Sequence, residues 1–479
     1  MDFITAKTST VLQERYRGGS PVASVYSASF TQVLIGCLYA IALPNVLIFK
    51  MHLSPGFLGV LGAIGAFAYI LGPVLFKKCS SNAGTKKALI DIAILESVTM
   101  TIAIAFLSPV VLVVTSMLEG MLASMYWTNM NFLVSKWQAI VPRSKQAEIF
   151  KKYGMSWNLG GIAGEIAGFL VIFAGLDDYV VCLVSLGLEA LHLYLLRAII
   201  CPGSETRKVE ARGMRDSSSL MTKRDGHAIR RYLFAAVLLM IVGELCLQVT
   251  KSTYDFLFPF IVFENDASSS VVYVMSLFQQ LAQMSGIYAS SKLNERGQYR
   301  GAIAAIGTTL VLTACVLVAP AMLMISAALI IVGFAGGLIY GFTAQVMLCC
   351  NRIGSMTRLT SLYESFSGTG DGVMVMITGF TSETGFTTAF MVLEWYLAAT
   401  LVVFLAAAIR IRDIIKKLIK MALPGQIMRR LVVPDHANVV VSSYFSARAS
   451  SSMNMLAMAG NQPPEPRHPF VLSPEALHL

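Results

Sequence analysis

The sequence predicts an all-α membrane protein with twelve transmembrane helices in two pseudo-symmetric six-helix bundles. Of its 479 residues, 56% are apolar and 13% are charged, whereas soluble domains carry about 25% charged residues. Apolar runs of about 20 residues, the length that crosses a bilayer as a helix, alternate with polar or basic stretches. Matched landmarks in the two halves of the chain are the third observation.

The apolar runs between charge clusters give the spans in order. We expect helices near 27–49, 56–76, 88–107, 109–134, 155–175, 179–196, 240–263, 271–290, 301–319, 321–347, 359–381 and 386–409. Residues 301–350 contain no charge and would form a helix of about 75 Å, too long for one crossing. A break at Pro320 therefore divides the ninth span from the tenth.

These spans divide the chain into five parts. We expect a cytoplasmic segment over 1–26, without a cleavable signal peptide, a six-helix bundle over 27–196, a cytoplasmic linker over 197–231, and a second bundle over 232–409. The remaining part, 410–479, begins with an amphipathic stretch (RIRDIIKKLIKMAL) typical of an interfacial helix. Its later residues have the composition of a disordered tail.

The distribution of basic residues predicts the orientation. Alternate segments, counted from the N-terminus, hold 35 of the 37 Lys and Arg residues, leaving Lys50 in an opposite-side loop and Lys251 inside the seventh span. Because cytoplasmic loops retain positive charge, both termini are expected in the cytoplasm of a cell-membrane protein. Anionic lipid headgroups at the cytoplasmic face account for the net charge of +10, and no nucleic-acid partner is needed.

Three sets of landmarks recur in order in the two halves. Tyr39 and Pro44 recur as Tyr254 and Pro259 at an offset of 215, Gly84 and Lys87 as Gly297 and Arg300 at 213, and Tyr153 and Gly160 as Tyr363 and Gly370 at 210. Internal repeats of this kind are typical of secondary transporters.

The pattern resembles the major facilitator superfamily over roughly residues 25–410. The loops after spans two and eight lie where that family has a G-x-x-x-D-R-x-G-R-K loop; the first copy is degenerate, whereas the second keeps Glu295, Arg296, Gly297 and Arg300. Span five (SWNLGGIAGEIAGF) is similar to the family's glycine-rich helix, with Glu165 at its proline position.

The resemblance implies secondary active transport of a small solute by alternating access. It also implies a gating role for the loop residues Gly84, Lys87, Arg296, Gly297 and Arg300. Oligomerisation is not required. The alternative is a sensor or scaffold that kept the fold and lost translocation, which the degenerate first loop favours.

Acidic residues dominate the charges inside the predicted spans. Ten acids lie there and face only Lys251 and His192: Asp91, Glu96, Glu119, Glu165, Glu189, Glu244, Asp255, Glu364, Asp371 and Glu394. The bilayer tolerates such groups when they are paired, protonated or beside water. The excess predicts proton coupling or a cationic substrate, although acids near span ends can simply reach the interface.

The clearest candidate site lies in span seven. Lys251 and Asp255 are four residues apart on one helical face, with Tyr254 beside them. Glu119 is a possible third partner, because spans one, four, seven and ten line the central cavity in the family that the sequence resembles. Tyr39, the counterpart of Tyr254 in the repeat, belongs to the same candidate site. A purely structural ion pair is the alternative.

Other candidates are aromatic residues and prolines. Tyr126 and Trp127 follow Glu119 by two helical turns and could contact a substrate or merely pack. Pro44 and Pro259 would each free a carbonyl and bend a helix, which suits a gate as well as ordinary tolerance near a helix end. The glycines of spans two and ten predict close helix packing.

Enzymatic classes find no support in the sequence motifs. The chain has no Gly-rich phosphate loop and no H-E-x-x-H motif, and its six histidines are scattered. We therefore expect no catalysis, no cofactor and no metal site. The eight cysteines fall in spans or in predicted cytoplasmic loops, so no disulfide framework is expected.

Overall fold

A computed structural model describes residues 22–75, 84–140, 143–201, 223–293, 295–351 and 356–421. The described residues form twelve α-helices and one π-helical turn. In order, the helices are α1 (Ala23–Asn45), α2 (Pro55–Leu75), α3 (Thr85–Ala105), α4 (Pro109–Ile140), α5 (Arg143–Phe173), α6 (Asp178–Arg197), α7 (Lys223–Glu264), α8 (Ser270–Lys292), α9 (Glu295–Val318), α10 (Met322–Asn351), α11 (Met356–Ser382) and α12 (Phe386–Met421).

Each predicted span coincides with one of these helices. Ten of the twelve are long and apolar enough to cross a membrane. The other two are α8, which carries Gln279, Gln280 and Gln283, and α11, which is rich in Ser and Thr and carries Asp371. Both pack against the opposite half of the molecule, so their polar side chains have partners away from lipid.

Two prolines mark local changes of backbone. The chain leaves helical geometry at Ala319–Ala321 around Pro320, which confirms the predicted break between spans nine and ten. Pro44 lies near the end of α1, and the helix continues as a π turn over Val46–Lys50. Proline removes one backbone hydrogen-bond donor, and short π-helical turns are found inside α-helices where the regular hydrogen bonding is interrupted.

The twelve helices form two halves, α1–α6 and α7–α12. In the first half, α1 packs against α5 and α6, and α2 against α4; in the second, α10 packs against α7, α8 and α9. The largest hydrophobic core lies in the second half around Tyr254, Phe258, Phe390 and Phe404. A smaller core around Tyr126, Met130 and Trp137 belongs to the first half.

The halves meet along two seams, α2 with α11 and α5 with α8. A Cβ atom placed on Gly59 would lie 2.9 Å from the Cα of Gly379, and one on Gly62 would lie 2.7 Å from the side chain of Val375. The predicted close packing of the span-two glycines is therefore confirmed. In α10, Gly333 and Gly337 likewise allow α8 to approach.

Large apolar side chains cover the outside of the bundle. Phe173, Val318, Leu323 and Trp395 are the most exposed of these, each at 77% or more. Exposed apolar surface on this scale is unfavourable in water and suits a lipid environment.

The ends of the chain differ from the prediction in one respect. The amphipathic stretch that begins at residue 410 continues α12 without interruption to Met421, rather than forming a separate interfacial helix. Residues 1–21, 202–222 and 422–479 lie outside the described residues, and with them most of the predicted N-terminal segment, central linker and tail.

Candidate functional site

Lys251 and Asp255 lie on the side of α7 that faces the first half. The Lys251 Nζ atom is 3.5 Å from the Oε1 of Gln283, and the Gln279 amide donates to Asp255 at 2.7 Å. In the described part of the chain, the ion pairs within 4.0 Å are Lys50–Asp177 and Lys152–Glu148. The predicted Lys251–Asp255 pair is therefore not in contact; a glutamine of α8 holds each member.

Two further carboxylates complete this site. Asp371 of α11 accepts a hydrogen bond from the Ser252 hydroxyl, and both Asp371 and Glu165 of α5 interact electrostatically with Lys251. Glu165 is only 5% exposed, and its Oε2 atom has no hydrogen-bond partner. We call Glu165, Lys251, Asp255 and Asp371 the central cluster; it joins α5 of the first half to α7 and α11 of the second.

The central cluster borders accessible space. Asp255 and Asp371 are exposed although both lie deep in long helices. On the α1 wall, Gly36 and Ala40 are also exposed, and a Cβ atom on Gly36 would meet nothing within 4 Å. Gly36 and Ala40 are the repeat counterparts of Lys251 and Asp255, so the repeat matches small residues in one half with charged residues in the other.

Sequence reasoning missed Glu165 and Asp371 as members of this site. Both were among the ten acids in predicted spans, but their helices were assigned no place at the cavity. Glu165 stands where the glycine-rich motif has proline, and Asp371 follows the repeat landmark Gly370. A carboxylate at either landmark was the available signal.

Glu119, the predicted third partner of Lys251, lies elsewhere. Its Oε1 accepts a hydrogen bond of 2.8 Å from the Tyr39 hydroxyl, so the structure brings these two predicted residues together inside the first half. Nearby, the Gln32 amide donates to both oxygens of Glu96 at 3.1 Å. The central cluster thus takes its acids from α5 and α11, rather than from α4.

A third acid of the first half, Glu189 of α6, lies close to Glu96. Glu189 and His192 are buried, and neither their carboxylate oxygens nor their ring nitrogens have hydrogen-bond partners. We call Glu96, Glu119 and Glu189 the first-half acids. Whereas the central cluster contains a lysine, Glu96 of this set interacts electrostatically with two further acids, Glu119 and Glu189.

The remaining aromatic candidates are packing residues in this structure. Tyr254 is fully buried, with its ring against Phe390 and its hydroxyl 3.3 Å from that of Thr313. Tyr126 is fully buried against Trp127 and His192. Neither Tyr126 nor Tyr254 reaches the space beside the central cluster.

At one face of the bundle, hydrogen bonds hold the ends of α1 and α11 and the starts of α2, α6 and α8; we call this the sealed face. Asp178, at the start of α6, accepts hydrogen bonds from Asn45 at 3.1 Å and, across the halves, from Ser269 at 2.9 Å and Tyr273 at 2.8 Å. The Gly56 amide donates to Glu383 at 3.2 Å. Polar contacts therefore join the halves at this face.

The segments that follow the two predicted gate prolines also meet at the sealed face. Leu47 and Ile48, after Pro44, form one hydrophobic cluster with Phe260, the residue after Pro259. The rings of Phe49 and Phe263 make an edge contact at 5.4 Å between centroids. This apolar layer forms the inner side of the sealed face and lies next to the central cluster along α7.

The opposite face carries the predicted basic loops, and we call it the basic face. Gly84 precedes α3, and the exposed Lys87 lies in the first turn of that helix; Arg296, Gly297 and Arg300 lie in the first turns of α9. Residues 76–83 of the first loop lie outside the described residues. On this side of the bundle, Trp157 of α5 contacts Tyr340 of α10 at 5.4 Å between ring centroids.

One of the two ion pairs reported above, Lys50–Asp177, lies at the sealed face. Lys50 Nζ is 2.6 Å from Asp177, which also caps α6 by accepting from the Val180 amide. The hydrogen bond from Lys50 lowers the pKa of the Asp177 carboxyl below its ordinary value.

Comparison with known proteins gives one family and a set of similar folds. The family model described as Major Facilitator Superfamily matches residues 25–375. No curated protein matches the sequence. The solved nucleoside transporter NupG is similar at 12% identity, covering 81% of this chain and 99% of its own, with a TM-score of 0.57. A D-xylose-proton symporter is similar at 14% identity, covering 81% and 97%, with a TM-score of 0.59.

Proposed function

Because the chain belongs to the major facilitator superfamily, we propose that it moves a small solute across the membrane by alternating access, coupled to protons. The central cluster carries this proposal. Its charged groups come from both halves, and two of its carboxylates keep accessible surface in the interior of a membrane bundle. Ionisable groups are costly there unless they serve a pathway or are paired.

Alternating access needs contacts that can break on one side of the site while others form. At the sealed face, these contacts are the bonds from Ser269 and Tyr273 to Asp178 and the layer around Phe260. The ring contact between Trp157 and Tyr340 is the candidate on the opposite side. The glycine seam between α2 and α11 offers a smooth surface over which the halves can rock.

We assign the basic face to the cytoplasm, because Lys and Arg residues are retained there. In the described conformation, the closed layer then separates the central cluster from the outside. The loop residues Lys87, Arg296 and Arg300 would lie on the cytoplasmic side, where their charges can contact headgroups or hold the halves together.

The excess of acidic over basic side chains inside the bundle supports proton coupling. Three carboxylates of the central cluster share one lysine, and the first-half acids lie close to one another, with neutral donors to Glu96 and Glu119. Carboxylates that lack a cation in such surroundings take up protons. Proton binding at one of these groups, linked to solute binding at the central cluster, would couple the two fluxes.

Flux in proteoliposomes tests the proposal. The full chain is reconstituted, and uptake of labelled solutes is followed with and without an imposed pH gradient, using liposomes without protein as the control. We expect uptake of at least one solute above the gradient-free equilibrium level. Equal uptake with and without the pH gradient would contradict proton coupling. Solute binding without flux would favour the alternative function, a sensor or scaffold that does not transport.

A further inference from the structure

We propose that the central cluster binds an organic cation, a solute that carries at least one protonated amine. This inference rests on the proposed function, because it names the solute class of the same site. It follows from the charge, the hydrogen-bonding capacity and the space around the four side chains.

The charge of the cluster favours a cation. With all four groups ionised, three carboxylates and one lysine leave a net charge of minus two, and a cation bound beside the carboxylates favours this ionised form over the protonated one. Among the described residues, no Lys or Arg, Lys251 included, forms an ion pair within 4.0 Å with these acids. An anionic solute would face this net negative charge at short range, whereas a cation would reduce it.

The unused hydrogen-bonding capacity is of the acceptor kind. The buried Glu165 Oε2 has no partner, and Asp255 and Asp371 each receive one hydrogen bond where a carboxylate can accept several. An ammonium group supplies up to three N–H donors and no acceptor. It therefore matches the groups that the site leaves unsatisfied, which a carboxylate solute would not.

Small, exposed residues of α1 leave open space beside that helix. Gly36 and Ala40 of α1 carry almost no side chain, and the space in front of Gly36 is empty to at least 4 Å. Glu165, which projects from α5 of the same half, interacts electrostatically with both Lys251 and Asp255. A cation at this position would contact acids from both halves and so bind most strongly when the halves close around it.

Lys251 acts in this account as an internal competitor. Its Nζ is held only by the long contact of 3.5 Å to Gln283, and it offsets part of the acidic charge when the site is empty. A bound ammonium takes over that role. The assignment therefore predicts opposite effects on binding for the lysine and for the acids.

The test measures the thermal unfolding midpoint of the purified full chain with a panel of amines of increasing size, from methylamine to spermidine. Alcohols and carboxylates of matched length, NaCl and CaCl2 are run in parallel. At least one amine should raise the midpoint by about 2 °C or more at saturating concentration. The matched alcohol and carboxylate should have no effect.

Variants then assign the binding to the cluster. Asp255→Asn and Asp371→Asn should each weaken amine affinity about 10- to 100-fold, as for the loss of a charge-assisted hydrogen bond. Lys251→Met should keep or strengthen amine binding, and Glu394→Gln, which removes an acid of α12 outside the cluster, should leave it unchanged. Size-exclusion profiles check that each variant is folded.

Several results would overturn the assignment: no shift with any amine, a shift only with carboxylates, alcohols or inorganic salts, or amine binding that both Asp variants leave intact. Loss of amine binding in Lys251→Met would do the same. Failure of the proposed transport is distinguishable from failure of this inference. Amine binding without flux would support the cation site and contradict the transport function. Flux of an uncharged solute without amine binding would support the transport function and contradict the cation site.

Discussion

The two halves share a fold but bury their carboxylates differently. In the first half, Glu96 and Glu119 accept hydrogen bonds from the neutral Gln32 and Tyr39. In the second, Asp255 and Asp371 surround a lysine and keep accessible surface. The pseudo-symmetric architecture therefore carries an asymmetric distribution of charge, with three of the four central-cluster residues on the second half and one, Glu165, on the first.

The largest expected effect separates these two sets of acids. Asp371→Asn removes charge from the central cluster and should lower the initial rate of solute uptake about 100-fold, at the upper end of the roughly 1.5–3 kcal/mol that a hydrogen bond to a charged group contributes. Glu119→Gln keeps an acceptor for the Tyr39 hydroxyl and should lower uptake less than about tenfold. Uptake in proteoliposomes, normalised to the amount of reconstituted protein, gives both rates.

Equal losses in the Asp371 and Glu119 variants would contradict the division of roles between the halves. A larger loss in Glu119→Gln would move the solute site to the first half.

The second prediction concerns the seam that joins the halves. In Gly379→Ala, the new Cβ would lie 2.8 Å from the Cα of Gly59. Overpacking of this kind costs about 1–3 kcal/mol, and because the clash exists only while α2 and α11 are in close contact, it should favour opening at the sealed face. Labelling of a cysteine placed at Ser269 by an impermeant thiol reagent should become faster.

Gly187→Ala is the matched control, since a Cβ there meets nothing within 4 Å. An unchanged labelling rate in Gly379→Ala, or an equal increase in both variants, would show that the seam does not hold the sealed face closed.

The third prediction tests the neutral partners in the first half. Tyr39→Phe removes the donor to Glu119 and should lower the free energy of unfolding by about 1–3 kcal/mol, the cost of leaving a buried polar group unsatisfied. Tyr194→Phe, at a side chain that is 70% exposed, should have little effect. Thermal unfolding in detergent compares the two; equal midpoints would mean that the Tyr39–Glu119 bond is not needed for stability.

The smallest effect is expected at the exposed pair of the sealed face. Asp177→Asn keeps an N-cap residue but loses the ion pair with Lys50, at a cost below about 1 kcal/mol. Because the pair lowers the pKa of folded Asp177, its stabilisation is present above the unfolded pKa of about 3.9. It is lost as the pH falls through the lower folded value.

Unfolding midpoints of wild type and Asp177→Asn should therefore differ slightly at pH 7 and converge below about pH 3.9. A gap that widens in acid would contradict the assigned pair.

The architecture could be predicted from the sequence because the length of an apolar span and the charges that flank it are local properties of the chain. The boundaries of the helices and the break at Pro320 follow from runs of apolar residues, which need no knowledge of neighbours. The family match over residues 25–375 agrees with these predictions.

The composition of the site was less predictable because it depends on which helices touch. Helical spacing placed Tyr254 beside Lys251 and Asp255, but the flank of α7 that carries Tyr254 packs on Phe390 and Thr313 in the core of the second half. Likewise, only the packing of α5 against α8 and of α11 against α7 brings Glu165 and Asp371 to the cluster. Spacing along one helix cannot supply such contacts between helices.

A reversible cross-link at the sealed face tests the central claim, alternating access, most directly. Gly56 and Glu383 lie in contact across the halves, and the double variant Gly56→Cys with Glu383→Cys can be joined by oxidation in proteoliposomes, with each single variant treated alike as a control. We predict that oxidation stops uptake in the double variant alone and that reduction restores it. Undiminished uptake by the cross-linked protein would contradict the account.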